Sequence, residues 1–106
     1  LVNTGWIGGS ALSDAKRVSI KNTRAMITSI LDDSISKSKF KKENYFGLQI
    51  PDSIKNVQSE ILNPINAWNN KEKYNIEAKK LAELFKQNFK EYGEKVKYLL
   101  NSGPII

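Results

Sequence analysis

The residues with the most evident chemistry lie near the start of the chain. Residues 3–24 hold both arginines, one of the 2 tryptophans and three of the 6 glycines. Arg17 follows the glycines on what reads as a short strand, opposite the apolar side chains. A planar guanidinium there could stack on an aromatic base and donate hydrogen bonds to ligand oxygens. A surface arginine held in an ion pair fits the same pattern, and the residues alone leave both readings open.

The glycine-rich loop before Arg17 is a second candidate for ligand contact. Gly5, Gly8 and Gly9 permit tight turns and positive φ angles, and the N–H groups of such a loop can hold a phosphate. The loop lacks the Gly-x-x-x-x-Gly-Lys-Ser/Thr spacing and does not open directly onto a helix, so a simple chain-reversing turn is the commoner explanation. Trp6, among the glycines, fits either a packing anchor or a lid, and the sequence does not choose.

Groups for catalysis are scarce in this chain. It has no histidine and no cysteine, so it lacks the commonest general base, the commonest metal ligand and any thiolate. No Gly-x-Ser-x-Gly elbow is present. The carboxylates do not cluster at metal-ligand spacing, and the adjacent Asp32 and Asp33 read as a solvent-facing helix end. We therefore expect no catalytic residue and no metal site within these residues.

Length and charge narrow the class of protein. A chain of 106 residues, 40% hydrophobic and 26% charged, forms one folded domain at most. The net charge is +6, but all basic residues except the two arginines are lysine, whereas nucleic-acid readers rely on arginine. Lysines interleaved with glutamates in the last third indicate a solvated helix face. No apolar run reaches membrane-spanning length and no signal-peptide layout is visible. We therefore expect a cytoplasmic protein with no nucleic-acid partner and no membrane partner.

The first two thirds of the chain predict short strands joined by polar connections. Three stretches are predicted as strands: residues 1–2 as the end of a buried strand, 16–20 half-buried, and 46–50 near a sheet edge. Three others are predicted as connections: residues 10–15 as a mobile loop, 36–43 as an exposed lysine-rich link, and 52–70 as irregular chain.

Two helices are predicted. The first runs over residues 23–32, capped by Asn22 or Thr23; the Thr23 hydroxyl fits either capping, its commoner role, or a ligand hydrogen bond. The second runs over residues 71–92, because apolar residues recur there at helical spacing. We expect that stripe to be core, Gly93 to act as a C-cap, and a further short helix to follow. These elements predict an α+β fold. The members of the stripe are Tyr74, Ala78, Leu81, Ala82, Phe85, Phe89 and Tyr92.

Several stretches, in order along nearly the whole chain, resemble the C-terminal portion of ATP-dependent phosphoenolpyruvate carboxykinases. They are Asn-Thr-Gly-Trp at 3–6 with the glycines at 8 and 9, Lys-Arg-Val-Ser-Ile-Lys-Asn-Thr-Arg-Ala at 16–25, Phe-Gly-Leu-Gln-Ile-Pro at 46–51, Ser-Glu-Ile-Leu-Asn-Pro at 59–64, and the helix at 81–89. Two departures stand out: residues 10–15 lack the family's glycines, and Ile65 replaces a common arginine.

The resemblance implies a piece of an enzyme that converts oxaloacetate and ATP to phosphoenolpyruvate, carbon dioxide and ADP in gluconeogenesis. Residues 1–106 would be one segment of its larger mixed α/β nucleotide-binding domain. By position, Arg17 resembles the arginine that packs against the base and ribose, while the Val18 backbone and Thr23 resemble the groups that meet the adenine. The phosphate loop, the oxaloacetate site and the ligands for Mg²⁺ or Mn²⁺ would lie upstream, so we expect this chain alone to be inactive.

Two other classes of protein remain as alternatives. A small basic nucleic-acid-binding module predicts binding to DNA or RNA that weakens steeply with salt. A structural or assembly domain predicts that the apolar stripe of residues 74–92 docks a partner. Uncovered apolar surface on a segment of a larger enzyme also predicts self-association.

Overall fold

The computed structural model describes residues 2–10 and 12–106 and confirms an α+β fold. Its extents are 44 × 32 × 21 Å. No helix in this part of the chain has the length and apolarity to cross a membrane. The elements in order are β1 (Trp6–Ile7), β2 (Lys16–Arg17), α1 (Ile20–Leu31), β3 (Phe40–Lys42), β4 (Gln49–Pro51), α2 (Pro64–Ala67) and α3 (Lys71–Phe89), with 3-10 helices at Ser34–Lys37, Ser59–Ile61, Lys90–Tyr92 and Glu94–Ser102.

The strands form two separate antiparallel ribbons. In the first, β1 pairs with β2 so that Trp6 lies opposite Arg17. In the second, β3 pairs with β4 and Lys41 lies opposite Ile50. Glu43 closes this second ribbon: its carboxylate accepts hydrogen bonds from the backbone N–H groups of Tyr45 (2.8 Å) and Phe46 (2.6 Å). One acidic side chain thus satisfies two turn donors that the ladder leaves unpaired.

Helix α1 begins earlier than the alternation of residues 16–20 indicates. Only Lys16–Arg17 is strand, and Ile20, 72% exposed, is the first helical residue. The cap is Ser19, whose hydroxyl accepts from the N–H of Asn22 at 3.1 Å, so the predicted cap at Asn22 or Thr23 is wrong. The extended backbone of Ser19 places its oxygen over the unpaired N–H groups of the first turn, which is the geometry an N-cap requires.

Other strand predictions need correction because the pairing is local and exposed. Val2 is exposed and outside any strand, and Leu1 lies outside the described residues. The link predicted over 36–43 contains β3, whose three side chains are all exposed and therefore show no alternation. The strand predicted over 46–50 is shorter, Gln49–Pro51, because the chain turns before it, with Gly47 at φ 69°. Within 52–70, the irregular chain contains Ser59–Ile61 and α2.

Helix α3 confirms the prediction for the final third. It spans Lys71–Phe89, and a 3-10 turn carries it on to Tyr92. The side-chain oxygen of Asn70 accepts from the N–H of Lys73 at 2.9 Å and caps the first turn. Gly93 ends the run at φ 77°, a value that favours glycine, and the predicted further helix is the 3-10 stretch Glu94–Ser102.

The core is small and does not include the whole stripe of α3. Within the described ranges, the buried apolar residues are Ile54, Ala78 and Ala82. Phe85 is 56% exposed and Tyr92 is 66% exposed, so the expectation that the stripe is core is wrong for its second half. Helix α3 packs on α2, and the ring of Trp68, just after α2, meets Tyr74 in the first turns of α3 at 5.7 Å. Beyond that point most of the large apolar side chains on the stripe remain substantially exposed to solvent.

Candidate functional site

Arg17 lies on the β1–β2 ribbon with its guanidinium against an indole ring. Its Cζ sits 5.4 Å from the centre of the Trp6 ring, as expected for residues directly opposite each other in an antiparallel pair. Arg17 is exposed and Trp6 is 45% exposed. The ion pairs of the described residues are Lys41–Asp52 and Lys97–Glu94, so Arg17 takes part in neither. Its described partner is an aromatic ring rather than a carboxylate.

Val18 and Thr23 lie beside the same segment of chain. The N–H of Val18 donates to the carbonyl of Gly5 at 3.0 Å, and the hydroxyl of Thr23 donates to the hydroxyl oxygen of Thr4 at 3.3 Å. Both residues are partly buried. The Thr23 side chain therefore does not cap its own helix, because Ser19 does. Its oxygen retains lone pairs that can accept a further hydrogen bond.

The three predicted site residues therefore contact three consecutive residues, 4–6, which lie at the start of β1 and just before it. Thr4 contacts Thr23, Gly5 contacts Val18, and Trp6 contacts Arg17. Chain order alone does not show this arrangement, because it depends on the register of a two-residue ladder. The contacts that Thr4 and Trp6 make were missed by the sequence reasoning. The sequence signal for them is the pair of short strands flanking a glycine-containing loop.

The glycine loop is shaped by packing. Gly8 has φ 82°, and a Cβ there would lie 3.0 Å from the carbonyl oxygen of Ala67 in α2. A Cβ on Gly9 would collide with the side chain of Ser13. These close approaches explain why both positions are glycine, and no bound ligand is needed for that explanation. The predicted mobile loop at 10–15 contains Ala11, which lies outside the described residues; beyond it, Ser13 turns back to donate to the Ser10 carbonyl.

A polar pocket opens beside the first turn of α1. Its volume is about 520 Å³, within the range of small-ligand sites. The lining residues are Ser19, Lys21, Asn22, Asn56, Val57 and Gln58. Because Ser19 directly follows Val18, this pocket is adjacent in the chain to the predicted site.

A larger groove, of about 1050 Å³, runs between the glycine loop, β4 and the first half of α3. Its apolar lining includes Phe46, Pro51, Trp68 and Leu81. Tyr74 forms part of the wall and meets the rings of Tyr45 and Trp68 edge-on, at centroid distances of 6.3 and 5.7 Å. This aromatic cluster joins the β3–β4 ribbon to α3.

Burial raises the pKa of the Tyr74 phenol, and the negative charge of Glu43 and the phenol of Tyr45 add to the shift. The folded chain therefore holds this proton more tightly than the unfolded chain. The stabilising contribution is intact below the ordinary pKa of about 10 and is lost as the pH rises through the folded value. Tyr92 and Tyr98 are 66% and 78% exposed and carry no such burial.

We expect an alkaline titration followed by phenolate absorbance to show that Tyr74 ionises above the ordinary pKa of a tyrosine, about 10. Tyr74→Phe should remove that late transition and flatten the loss of stability above about pH 10. Tyr98→Phe, at an exposed site, serves as the control and should leave the late transition in place. A late transition that persists in Tyr74→Phe would contradict the assignment.

The described residues contain no group of three or more histidine, cysteine, aspartate or glutamate side chains placed to hold a metal ion. They therefore do not fit the divalent metal that the resemblance implies. No step of the chemistry is assigned to a metal on this part of the chain.

Comparison with known proteins gives one consistent result. A family model described as phosphoenolpyruvate carboxykinase matches residues 1–60. A protein of Fusobacterium nucleatum named phosphoenolpyruvate carboxykinase (ATP) is 47% identical over 105 residues, which cover 98% of this chain and 20% of that protein. A protein of the same name from Staphylococcus aureus strain Newman is 42% identical over 103 residues, covering 97% of this chain and 19% of that protein. The chain thus spans about a fifth of the length of the curated relatives it matches.

Proposed function

The chain belongs to the ATP-dependent phosphoenolpyruvate carboxykinase family, and from that we propose that it is the part of such an enzyme that binds the adenosine end of ATP. The complete enzyme would convert oxaloacetate and ATP to phosphoenolpyruvate, carbon dioxide and ADP in the cytoplasm, as a step of gluconeogenesis. Arg17, Val18 and Thr23 would make the nucleotide contacts.

The observation that carries this proposal is the gathering of the three residues around 4–6. The Cζ atom of Arg17 lies 5.4 Å from the centre of the Trp6 ring, and the exposed guanidinium would pack on a purine from its solvent side. The Thr23 hydroxyl donates to Thr4, so its remaining lone pairs can accept from an exocyclic amino group. The N–H of Val18 is engaged by Gly5, so the contact from that backbone would be through its carbonyl, as an acceptor.

In the proposed reaction this segment positions the substrate and supplies no reacting group. Loss of carbon dioxide from oxaloacetate leaves an enolate, whose oxygen attacks the γ-phosphoryl group of ATP as the bond to the ADP oxygen breaks. Catalysis of phosphoryl transfer depends on alignment and on charge stabilisation around the phosphates. Fixing the purine contributes to alignment. The charged groups and the metal would come from the rest of the enzyme.

Photolabelling of the complete enzyme with 8-azido-ATP tests this location directly. Because the azide is on the purine, the label should appear by mass spectrometry in peptides covering residues 4–24. Excess ATP should suppress it, and excess oxaloacetate should not. A label confined to peptides outside residues 1–106 would refute the proposal.

A further inference from the structure

We propose that Trp6 is a positioning residue for ATP: its indole ring holds the Arg17 guanidinium in the orientation that receives the purine. This inference rests on the proposed function and adds to it a residue that does not itself need to touch the nucleotide. Its chemistry is that of a cation held over the face of an aromatic ring.

The geometry of the ribbon places the two side chains together. Trp6 and Arg17 are directly paired across β1 and β2, so they project from the same face. The guanidinium carbon lies 5.4 Å from the ring centre, within the 6 Å range of cation–π contacts. Hydrogen bonding between Val18 and Gly5 continues the pairing by one residue, which fixes the register at this point.

Trp6 does not have the surroundings of a core anchor. It is 45% exposed, and the aromatic pairs of the described chain involve Tyr45, Tyr74, Trp68 and other rings but not Trp6. A large aromatic side chain left half in solvent loses part of the stabilisation that full burial would provide. Among the described residues, the face of the Trp6 ring contacts the cation of Arg17. The role that we assign to Trp6 concerns this contact alone.

The physical effect of the ring is preorganisation. An exposed arginine samples many rotamers, and binding a ligand in one of them costs conformational entropy. The described chain offers Arg17 no carboxylate to restrict it, since Lys41 and Lys97 make the ion pairs there. The contact with the Trp6 ring would restrict the guanidinium before the nucleotide arrives. The purine then meets a surface that is already ordered, and affinity for ATP rises without any effect on oxaloacetate.

A double-mutant cycle on the complete enzyme tests the coupling. Trp6→Leu keeps an apolar side chain but removes the ring, and we expect it to raise the KM for ATP about fivefold, with kcat and the KM for oxaloacetate within about twofold of the parent. Trp6→Phe keeps an aromatic ring that attracts cations more weakly, so its KM for ATP should lie between those of the parent and of Trp6→Leu. In an Arg17→Ala background, Trp6→Leu should add nothing further, because the group it positions is gone.

The outcomes separate this inference from the proposed function. If Arg17→Ala raises the KM for ATP but Trp6→Leu does not, or if the two effects add, the positioning role of Trp6 is refuted and the nucleotide site stands. If Arg17→Ala leaves the KM for ATP unchanged, the nucleotide site itself fails, and the inference with it. If Trp6 only supports folding, its replacement would lower kcat and the unfolding temperature of the enzyme, and it would change the KM values for ATP and oxaloacetate alike. Should Trp6→Leu not fold, Trp6→Phe completes the same cycle with an expected rise of about twofold.

Discussion

Replacing Arg17 by alanine in the complete enzyme is expected to raise the KM for ATP about tenfold while the KM for oxaloacetate stays within about twofold. In the proposed site, the substitution would remove a planar cation placed to pack on the purine and to donate a hydrogen bond to the nucleotide. Because KM equals a dissociation constant only when chemistry is slow, an equilibrium titration with ATP should accompany the kinetics and show the same loss.

Arg24→Ala provides the matched control for this experiment. Arg24 is the other arginine, is exposed on α1, and its loss changes the net charge by the same amount. We expect the ATP titration of this variant to resemble that of the parent. The ATP affinity of Arg17→Lys should fall between those of the parent and of Arg17→Ala, because lysine keeps the positive charge but lacks the planar guanidinium. Equal increases for both substrates, or equal effects at Arg24 and Arg17, would mean that Arg17 acts through general charge or folding rather than through the purine.

The sequence was most informative where one long element carries its own signal. Helix α3 was predicted closely because apolar residues recur at helical spacing from Tyr74 to Tyr92, and the helix spans Lys71–Phe89. The burial of that stripe was not predictable in the same way. Periodicity shows that a helix has an apolar face, but whether the face is covered depends on what packs against it, and in the described chain only Ala78 and Ala82 of the stripe are buried.

The short strands were harder to predict, for two physical reasons. Strand β3 has exposed side chains on both faces, so Phe40, Lys41 and Lys42 carry no period-two pattern. Ile20 extends the apparent alternation of the strand before it, yet it is the first residue of a helix because Ser19 provides a cap. Local capping therefore decided the boundary against the wider hydrophobic pattern.

The candidate site was predictable as a set of residues but not as an arrangement. Arg17 and Thr23 stood out by residue type and position, and Val18 entered through the family resemblance. Their gathering around Thr4 and Trp6 depends on the pairing register, which in a two-residue ladder is set by the loop between the strands. No single-residue signal encodes that register, so the partners of the site residues became visible only in the structure.

The most buried apolar residue of the described chain lies on helix α3. Ala82 has 0% of its surface exposed, while Lys80, two residues earlier in the same helix, is exposed. A carboxylate at position 82 would have to be buried without a partner or push the packing apart, and either costs several kcal/mol. We expect Ala82→Asp to lower the free energy of unfolding of the chain by about 3 kcal/mol or more, measured by urea denaturation followed by circular dichroism.

Lys80→Asp is the control, because it introduces the same helix-disfavouring residue at a solvated site and should cost less than about 1 kcal/mol. Similar losses for the two variants would show that helix propensity, and not burial at Ala82, sets the effect.

The loss of packing at Ala82 should also affect the candidate site. Helix α3 contacts α2, the carbonyl of Ala67 at the end of α2 leaves no room for a side chain at Gly8, and Gly8 directly follows β1. Under the proposed function, a loosened α3 should therefore weaken ATP binding as well. Helix α2 packs between α3 and the glycine that follows β1, the strand that carries Trp6.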